Sequence, residues 1–198
     1  MAAPNLTSMN SSGNRRQSIH VEPTGAYDTI QHYIRDLVYG ATDGIVTTFA
    51  AVSGVAGGSL SVGVVAVVGL ANLFADGLSM GVGNYLSIRA HEGARELQQL
   101  PEEEARPARH GLATFLAFVV AGAVPLAAYV VPSDADVRFP LAASCGLASL
   151  FTVGAARAWV SAERWWKSGL EMFLLGALVA GVAYATGALV ATIVADLV

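Results

Sequence analysis

The chain has 198 residues, enough for one domain, and 54% of them are hydrophobic whereas only 13% are charged. An ordinary soluble domain carries about 25% charged residues, so this composition excludes that class and favours a membrane protein. The single cysteine, Cys145, excludes an internal disulfide and a multi-cysteine metal cage. The formal net charge of −4 excludes little, because in a membrane protein the distribution of charge matters more than its sum.

The first 28 residues are polar and rich in Ser, Asn, Gly and Pro, which predicts a disordered cytoplasmic tail over residues 1–28. Arg15 and Arg16 lie in this tail, but no apolar run follows them at the distance of a signal peptide. We therefore do not expect a twin-arginine export signal.

Five apolar stretches follow, and each is close to the roughly 20 residues that cross a bilayer core. They cover residues 37–57, 62–86, 112–131, 141–160 and 170–194. The sequence therefore predicts an all-α membrane protein, in which residues 29–198 form a single domain of five transmembrane helices.

The basic residues predict the orientation of these spans, because cytoplasmic loops carry an excess of Lys and Arg. Ten of the eleven fall on one side, and only Arg138 falls on the other. The N-terminus is therefore expected in the cytoplasm and the C-terminus on the opposite side of the membrane.

Two carboxylates lie inside the first two spans, where a charge is costly and normally marks function. The turn between these spans is centred near Ser59 and Leu60. Asp43 and Asp76 are equally far from that centre along the chain, so two straight helices would place them at the same depth. No Lys or Arg lies nearby in either span to pair with them.

Span two also carries an ordered polar face. Asn72, Asp76, Met80 and Asn84 are spaced by four residues and therefore share one side of a helix. Oxygen donors with a thioether suit a divalent transition metal better than magnesium or calcium, because sulfur is a soft ligand. A structural interpretation stays open for three of them: Met80 could fill a core, and Asn72 and Asn84 could hydrogen-bond across helices.

Small residues on both spans, among them Gly40 and Gly44, allow close helix contact. Together with the family resemblance given below, Gly40 and Gly44 predict a homodimer that packs through span one. Glu171, just inside span five, is a candidate for lining the cytoplasmic entrance. The acidic segment from Glu92 to Glu104, with His91 and His110, could attract metal, although a solvated helix extension explains it as well.

Two stretches together resemble a known family. "IRDLVYGATDGIVTTFAAVSGVAG" followed by "GLANLFADGLSMGVGNYLS" is similar to the first two helices of the vacuolar iron transporter family. "FLAFVVAGAVPLAAY" and "SGLEMFLLGALVAGVAYATG" resemble its third and fifth helices. The resemblance covers nearly everything from Arg35 onward.

This resemblance implies a five-helix homodimer that exports ferrous iron, and often manganese, from the cytosol in exchange for protons. It implies a pathway near the dimer interface that uses Asp43 and Met80. Iron or manganese would be the substrate, and no cofactor and no nucleic-acid partner are expected.

The sequence departs from the family pattern at two places. Metal-sequestering members carry a long domain rich in Glu and Met between spans two and three, whereas this chain has only a short segment without methionine. It therefore resembles the short, nodulin-like branch. Members that carry the long domain also tend to have a glutamate where Asn72 stands, and Asp76 one turn later could compensate.

Two other function classes were weighed. Paired membrane aspartates also occur in intramembrane aspartyl proteases, but both acids here lie on consecutive hairpin helices without a Gly-x-Gly-Asp sequence, so no enzyme is expected. A non-transporting scaffold would not need either aspartate. We expect the transporter to reside in the cell (inner) membrane rather than a vacuolar membrane.

Overall fold

The computed structural model describes residues 18–21, 23–130, 135–158 and 163–197. This part of the chain contains five helices and no strand. The helices are α1 (Ala26–Gly57), α2 (Val62–Leu97), α3 (Pro107–Val130), α4 (Ala135–Arg157) and α5 (Trp165–Ala195). The protein is therefore all-α, as the sequence predicts.

The first helix begins at Ala26, so the last residues of the predicted tail are helical. Residues 1–17 and 22 of that tail lie outside the described residues. Ser18 forms an isolated bridge with Glu102, in which Ile19 N donates to Glu102 O at 2.8 Å. The segment just before α1 thus lies against the connection between α2 and α3.

Four of the described helices, α2 to α5, are long and apolar enough to cross a membrane. This confirms four of the five predicted spans. Many of their large apolar side chains are exposed, including Leu174, Leu178 and Val182 of α5. Exposed apolar side chains along helices of this length suit contact with lipid, which confirms a multi-pass membrane protein.

The first helix does not belong to that set of four, so its own passage through the membrane stays a prediction. Its packing supports the prediction, because α1 contacts all four other helices and buries Ile45, Phe49 and Val52 almost completely. A central helix faces protein on most sides, so it can carry Asp43 and several threonines at less cost than a lipid-facing helix.

The α1–α3 contact is the most extensive in the described bundle and rests on glycines. A Cβ added to Gly40 would collide with Thr114 O, and one added to Gly44 would collide with Phe118 O. These two glycines thus bring α1 against α3 of the same chain. The expectation that the Gly40–Gly44 face forms a homodimer interface is therefore wrong, because that face is already covered.

The helices alternate in direction, so one end of the bundle gathers the start of α1, α3 and α5 and the end of α2 and α4. We call it the basic end, since its described Lys and Arg residues are Arg35, Arg89, Arg95, Arg106, Arg109, Arg157, Arg164 and Lys167. The cytoplasmic assignment of this end and of the N-terminus stays a prediction from the distribution of charge.

Candidate metal pathway

A polar cavity of about 550 Å³ lies between α1 and α2. Its lining comes from one face of each helix, namely Tyr39, Asp43 and Thr47 of α1 with Asp76, Ser79, Met80, Gly83, Asn84 and Ser87 of α2. The residues from α1 are spaced by four, as are two rows from α2, so the helical period places them together. No Lys or Arg lines this cavity among the described residues.

Asp43 and Asp76 both line this cavity, which is compatible with the equal depth that counting from the hairpin turn predicts. The turn is tight because Ser59 adopts a left-handed conformation with φ of 54° and donates its N–H to Ala56 O at 3.0 Å. Asp43 is half-buried, whereas Asp76 is exposed at the surface of the protomer. The cavity therefore opens on the outside of the single chain.

Met80 is half-buried one turn beyond Asp76 and adds its thioether to the two carboxylates. Thr47 is close by, and its Oγ1 donates to the backbone oxygen of Asp43 at 2.8 Å. The cavity thus brings together two carboxylates, a thioether and hydroxyl groups. This donor set can hold a divalent transition metal.

Asn84 lies at one limit of the cavity, but its amide nitrogen is already occupied. Its Nδ2 donates to Asp36 Oδ1 and to Thr114 Oγ1, each at 2.8 Å. Only the amide oxygen remains to face a metal ion. The sequence left open that Asn84 hydrogen-bonds across helices rather than binding metal. The structure shows such hydrogen bonds for the amide nitrogen of Asn84.

Two other residues predicted for the site lie away from the cavity. Asn72 is exposed on α2 and is not part of the lining. Glu171 is 71% exposed in its side chain and pairs with Arg157 Nη2 at 3.2 Å. It lines a separate cavity of about 340 Å³ near the start of α5.

The sequence analysis missed Asp36, which is only 2% exposed and lies two turns before Asp43 on α1. Its Oδ2 pairs with His110 Nδ1, and His110 Nε2 lies 2.9 Å from Glu104 Oε2. The spacing of seven residues between Asp36 and Asp43 was the available signal, since it places both on one side of α1.

The acidic segment after α2 folds back onto the bundle. Glu92 is buried and its Oε1 accepts the backbone N–H groups of Glu103 at 3.2 Å and Glu104 at 3.0 Å. Arg95 Nη1 pairs with Glu103 Oε2 at 2.9 Å. Residues 93–100 are largely exposed as α2 continues to Leu97, which confirms a solvated helix extension there, whereas Glu92 and residues 101–104 form an ordered cap on the basic end.

The chain is similar to known proteins over most of its length. A family model described as the VIT family matches residues 34–99 and 89–188. The chain is 28% identical to a protein named vacuolar iron transporter from Toxoplasma gondii over 233 residues, which cover 84% of this chain and 77% of that protein. The aligned region is longer than this chain, so the relative contains residues without a counterpart here.

Two plant relatives match over shorter regions. Vacuolar iron transporter 1 of Arabidopsis thaliana is 32% identical over 44% of this chain and 36% of its own length. Vacuolar iron transporter 1 of Eucalyptus grandis is 36% identical over 41% of this chain and 33% of its own length. The chain thus aligns with about a third of each plant relative.

The names of these relatives bear on two further expectations. All three are named transporters, which confirms the expectation that the protein is not an enzyme. Their names place them at a vacuole, so they give no support to the expected cell membrane. Since the two matches of the family model together extend from residue 34 to residue 188, the chain belongs to the VIT family.

Proposed function

We propose that the protein is a metal-ion transporter that exports ferrous iron, manganese or both from the cytosol in exchange for protons. The observation that carries the proposal is the cavity between α1 and α2, which holds Asp43, Asp76 and Met80. The names of the relatives support iron as a substrate of the family. Fe²⁺ is a borderline ion and Mn²⁺ a harder one, and both accept carboxylate ligands.

The cavity also suits exchange with protons. Two carboxylates that share a space without a lysine or arginine repel each other when both are ionised. A divalent cation relieves that repulsion, and protons relieve it when the cation has left. Each departure of metal toward the far side can therefore be coupled to the uptake of protons by the same two side chains.

A homodimer is part of the proposal, although its interface differs from the Gly40–Gly44 face. Asp76 and Asn72 are exposed on a helix that is long and apolar enough to span the membrane. A carboxylate that faces lipid is costly, and a second copy laid over this polar face would remove the cost. The cavity would then lie between two protomers and be closed to lipid.

The test is transport in sealed proteoliposomes that contain only this protein. We expect uptake or release of Fe²⁺ and Mn²⁺ that increases when a pH gradient of the right direction is imposed, together with movement of protons in the opposite direction. Magnesium serves as the control ion. Metal flux that does not change with the pH gradient would indicate passive transport rather than exchange with protons. The absence of any metal flux would indicate a non-transporting scaffold.

The membrane in which this occurs stays a prediction. Localisation of a fluorescently tagged chain in its own cells distinguishes the expected cell membrane from an internal compartment.

A further inference from the structure

We propose that the basic end carries a second metal site, separate from the transport cavity, in which His20, His32 and Glu104 bind a divalent transition ion. The three residues come from the segment before α1, from α1 itself and from the connection between α2 and α3. One ligand atom from each lies within 4.8 Å of the other two. The site would therefore tie three separate segments together.

The distances fit coordination around a small ion. Glu104 Oε1 lies 3.2 Å from His20 Nδ1, and Glu104 Oε2 lies 3.6 Å from His32 Nε2. Ligands bound about 2.0–2.2 Å from a zinc-like ion stand roughly 3–3.5 Å apart when the geometry is tetrahedral or octahedral. The three side chains thus need only small movements to surround such an ion.

His32 gives the second, independent observation. Its Nε2 is buried and makes no hydrogen bond among the described residues, although it points toward the Glu104 carboxylate. A buried polar atom without a hydrogen bond is rare, and a bound ion is one of its ordinary explanations. The side chains of His20, Glu104 and His32 are 6%, 17% and 22% exposed, so the cluster is partly enclosed.

The carboxylate is held before any ion arrives. The backbone N–H of Glu104 donates to buried Glu92, and His110 Nε2 lies 2.9 Å from Glu104 Oε2. His110 is in turn held by Asp36. A ligand oriented by a further carboxylate–histidine pair is typical of protein metal sites, so His110 acts as a positioning residue.

The ligand atoms of the proposed site indicate which class of ion it would bind. Two imidazoles with one carboxylate suit Fe²⁺, Zn²⁺ or Co²⁺, whereas magnesium and calcium prefer sites made of oxygen atoms alone. The ion bound here would be resident rather than cargo, because the ligands hold the segment before α1 against the bundle. The inference does not depend on transport, since none of its ligands lines the cavity between α1 and α2.

The experiment uses full-length protein without a histidine tag, purified in detergent, with Asp43→Asn as the background to weaken the transport cavity. Co²⁺ is the probe, because four-coordinate Co²⁺ held by protein ligands absorbs visible light far more strongly than octahedral water-bound Co²⁺. We expect one equivalent with strong absorption, which His20→Ala and Glu104→Gln each abolish. His110→Asn should weaken Co²⁺ binding by about 10- to 100-fold, as loss of a supporting hydrogen bond does elsewhere.

His91→Ala is the matched control, because His91 is exposed and pairs with Glu103 rather than Glu104. It should leave the Co²⁺ spectrum unchanged. Bound Co²⁺ should also slow proteolysis before residue 26 in the background protein but not in His20→Ala. Absence of the spectrum from the background protein, or its persistence in both ligand variants, would overturn the proposal whether or not the protein transports metal.

Discussion

Asn84 joins the cavity between α1 and α2 to the buried carboxylate of Asp36, because its Nδ2 donates to Asp36 Oδ1 at 2.8 Å. The same nitrogen donates to Thr114 of α3. Asp36 continues to His110 and then to Glu104, so a line of polar contacts runs from the cavity to the cap on the basic end. One side chain thus holds three helices together where the pathway would begin.

Replacing this link should destabilise the protein. Asn84→Leu keeps a similar volume but removes both donated hydrogen bonds and leaves buried Asp36 with fewer partners, which costs about 1–3 kcal/mol. We expect a clearly lower Tm in detergent. Asn72→Leu is the control, since Asn72 is exposed on the same helix and should melt at the parent temperature or above it. Equal melting of the two variants would contradict the role of Asn84.

Asp43→Asn tests the pathway itself. Asparagine is nearly the same size as aspartate and removes the cost of placing a charge in the membrane, so the fold should be retained and Tm should be unchanged or raised. Transport in proteoliposomes should be lost, because a neutral amide neither attracts a cation nor exchanges protons. Retained transport would show that Asp43 is not on the pathway, and misfolding would show that its role is structural.

Met80→Leu tests whether the thioether sulfur of Met80, rather than the size of its side chain, is needed for metal binding. The substitution conserves size and apolar character, so expression and Tm should change little, at a cost below about 1.5 kcal/mol. We expect weaker binding of Fe²⁺ by calorimetry and slower transport, because the soft ligand is missing. Binding of magnesium, expected to be weak in the parent, should not change. Equal affinity of the parent for Mg²⁺ and Fe²⁺ would contradict the choice of a transition metal.

The close α1–α3 contact predicts that Gly→Ala substitutions differ in their effect on Tm, depending on the space around each glycine. Gly44→Ala should lower Tm strongly, because its new Cβ meets the backbone of Phe118 and cannot be accommodated by a side-chain rotation. Gly181→Ala in α5 is the matched control, since no atom lies within 4 Å of the added Cβ. Alanine there should be neutral or stabilise the helix by up to about 1 kcal/mol. A neutral Gly44→Ala would mean that α1 and α3 are not this close.

The proposed dimer can be located by cross-linking single cysteines after Cys145→Ala has removed the native thiol. Tyr39→Cys and Thr47→Cys, on the face of α1 that lines the cavity, should form cross-linked dimers in membranes. Ile45→Cys should not, because Ile45 is 1% exposed within the protomer. Cross-linking through Ile45 alone, or through none of the three positions, would place any second copy elsewhere.

Much of the architecture could be predicted from sequence because it follows from one-dimensional patterns. Apolar runs of bilayer length identified four helices that can span the membrane, since a backbone in lipid must satisfy its own hydrogen bonds. The short turn at Ser59 predicted that Asp43 and Asp76 lie at the same depth, because helices have a constant rise and a tight hairpin leaves no freedom of register. That both carboxylates line one cavity is a finding of the structure.

Only the tertiary structure decided which neighbour covers each face. Small residues at Gly40 and Gly44 show that something packs closely there, but not whether it is α3 or a second copy. Asp36 and His110 are 74 residues apart, so no local period relates them. Helical periodicity determines which side chains share a face, whereas the partner of that face depends on how all five helices pack at once. For this reason the equal depth of Asp43 and Asp76 was predictable from two adjacent helices, and the histidine cluster assembled from three segments was not.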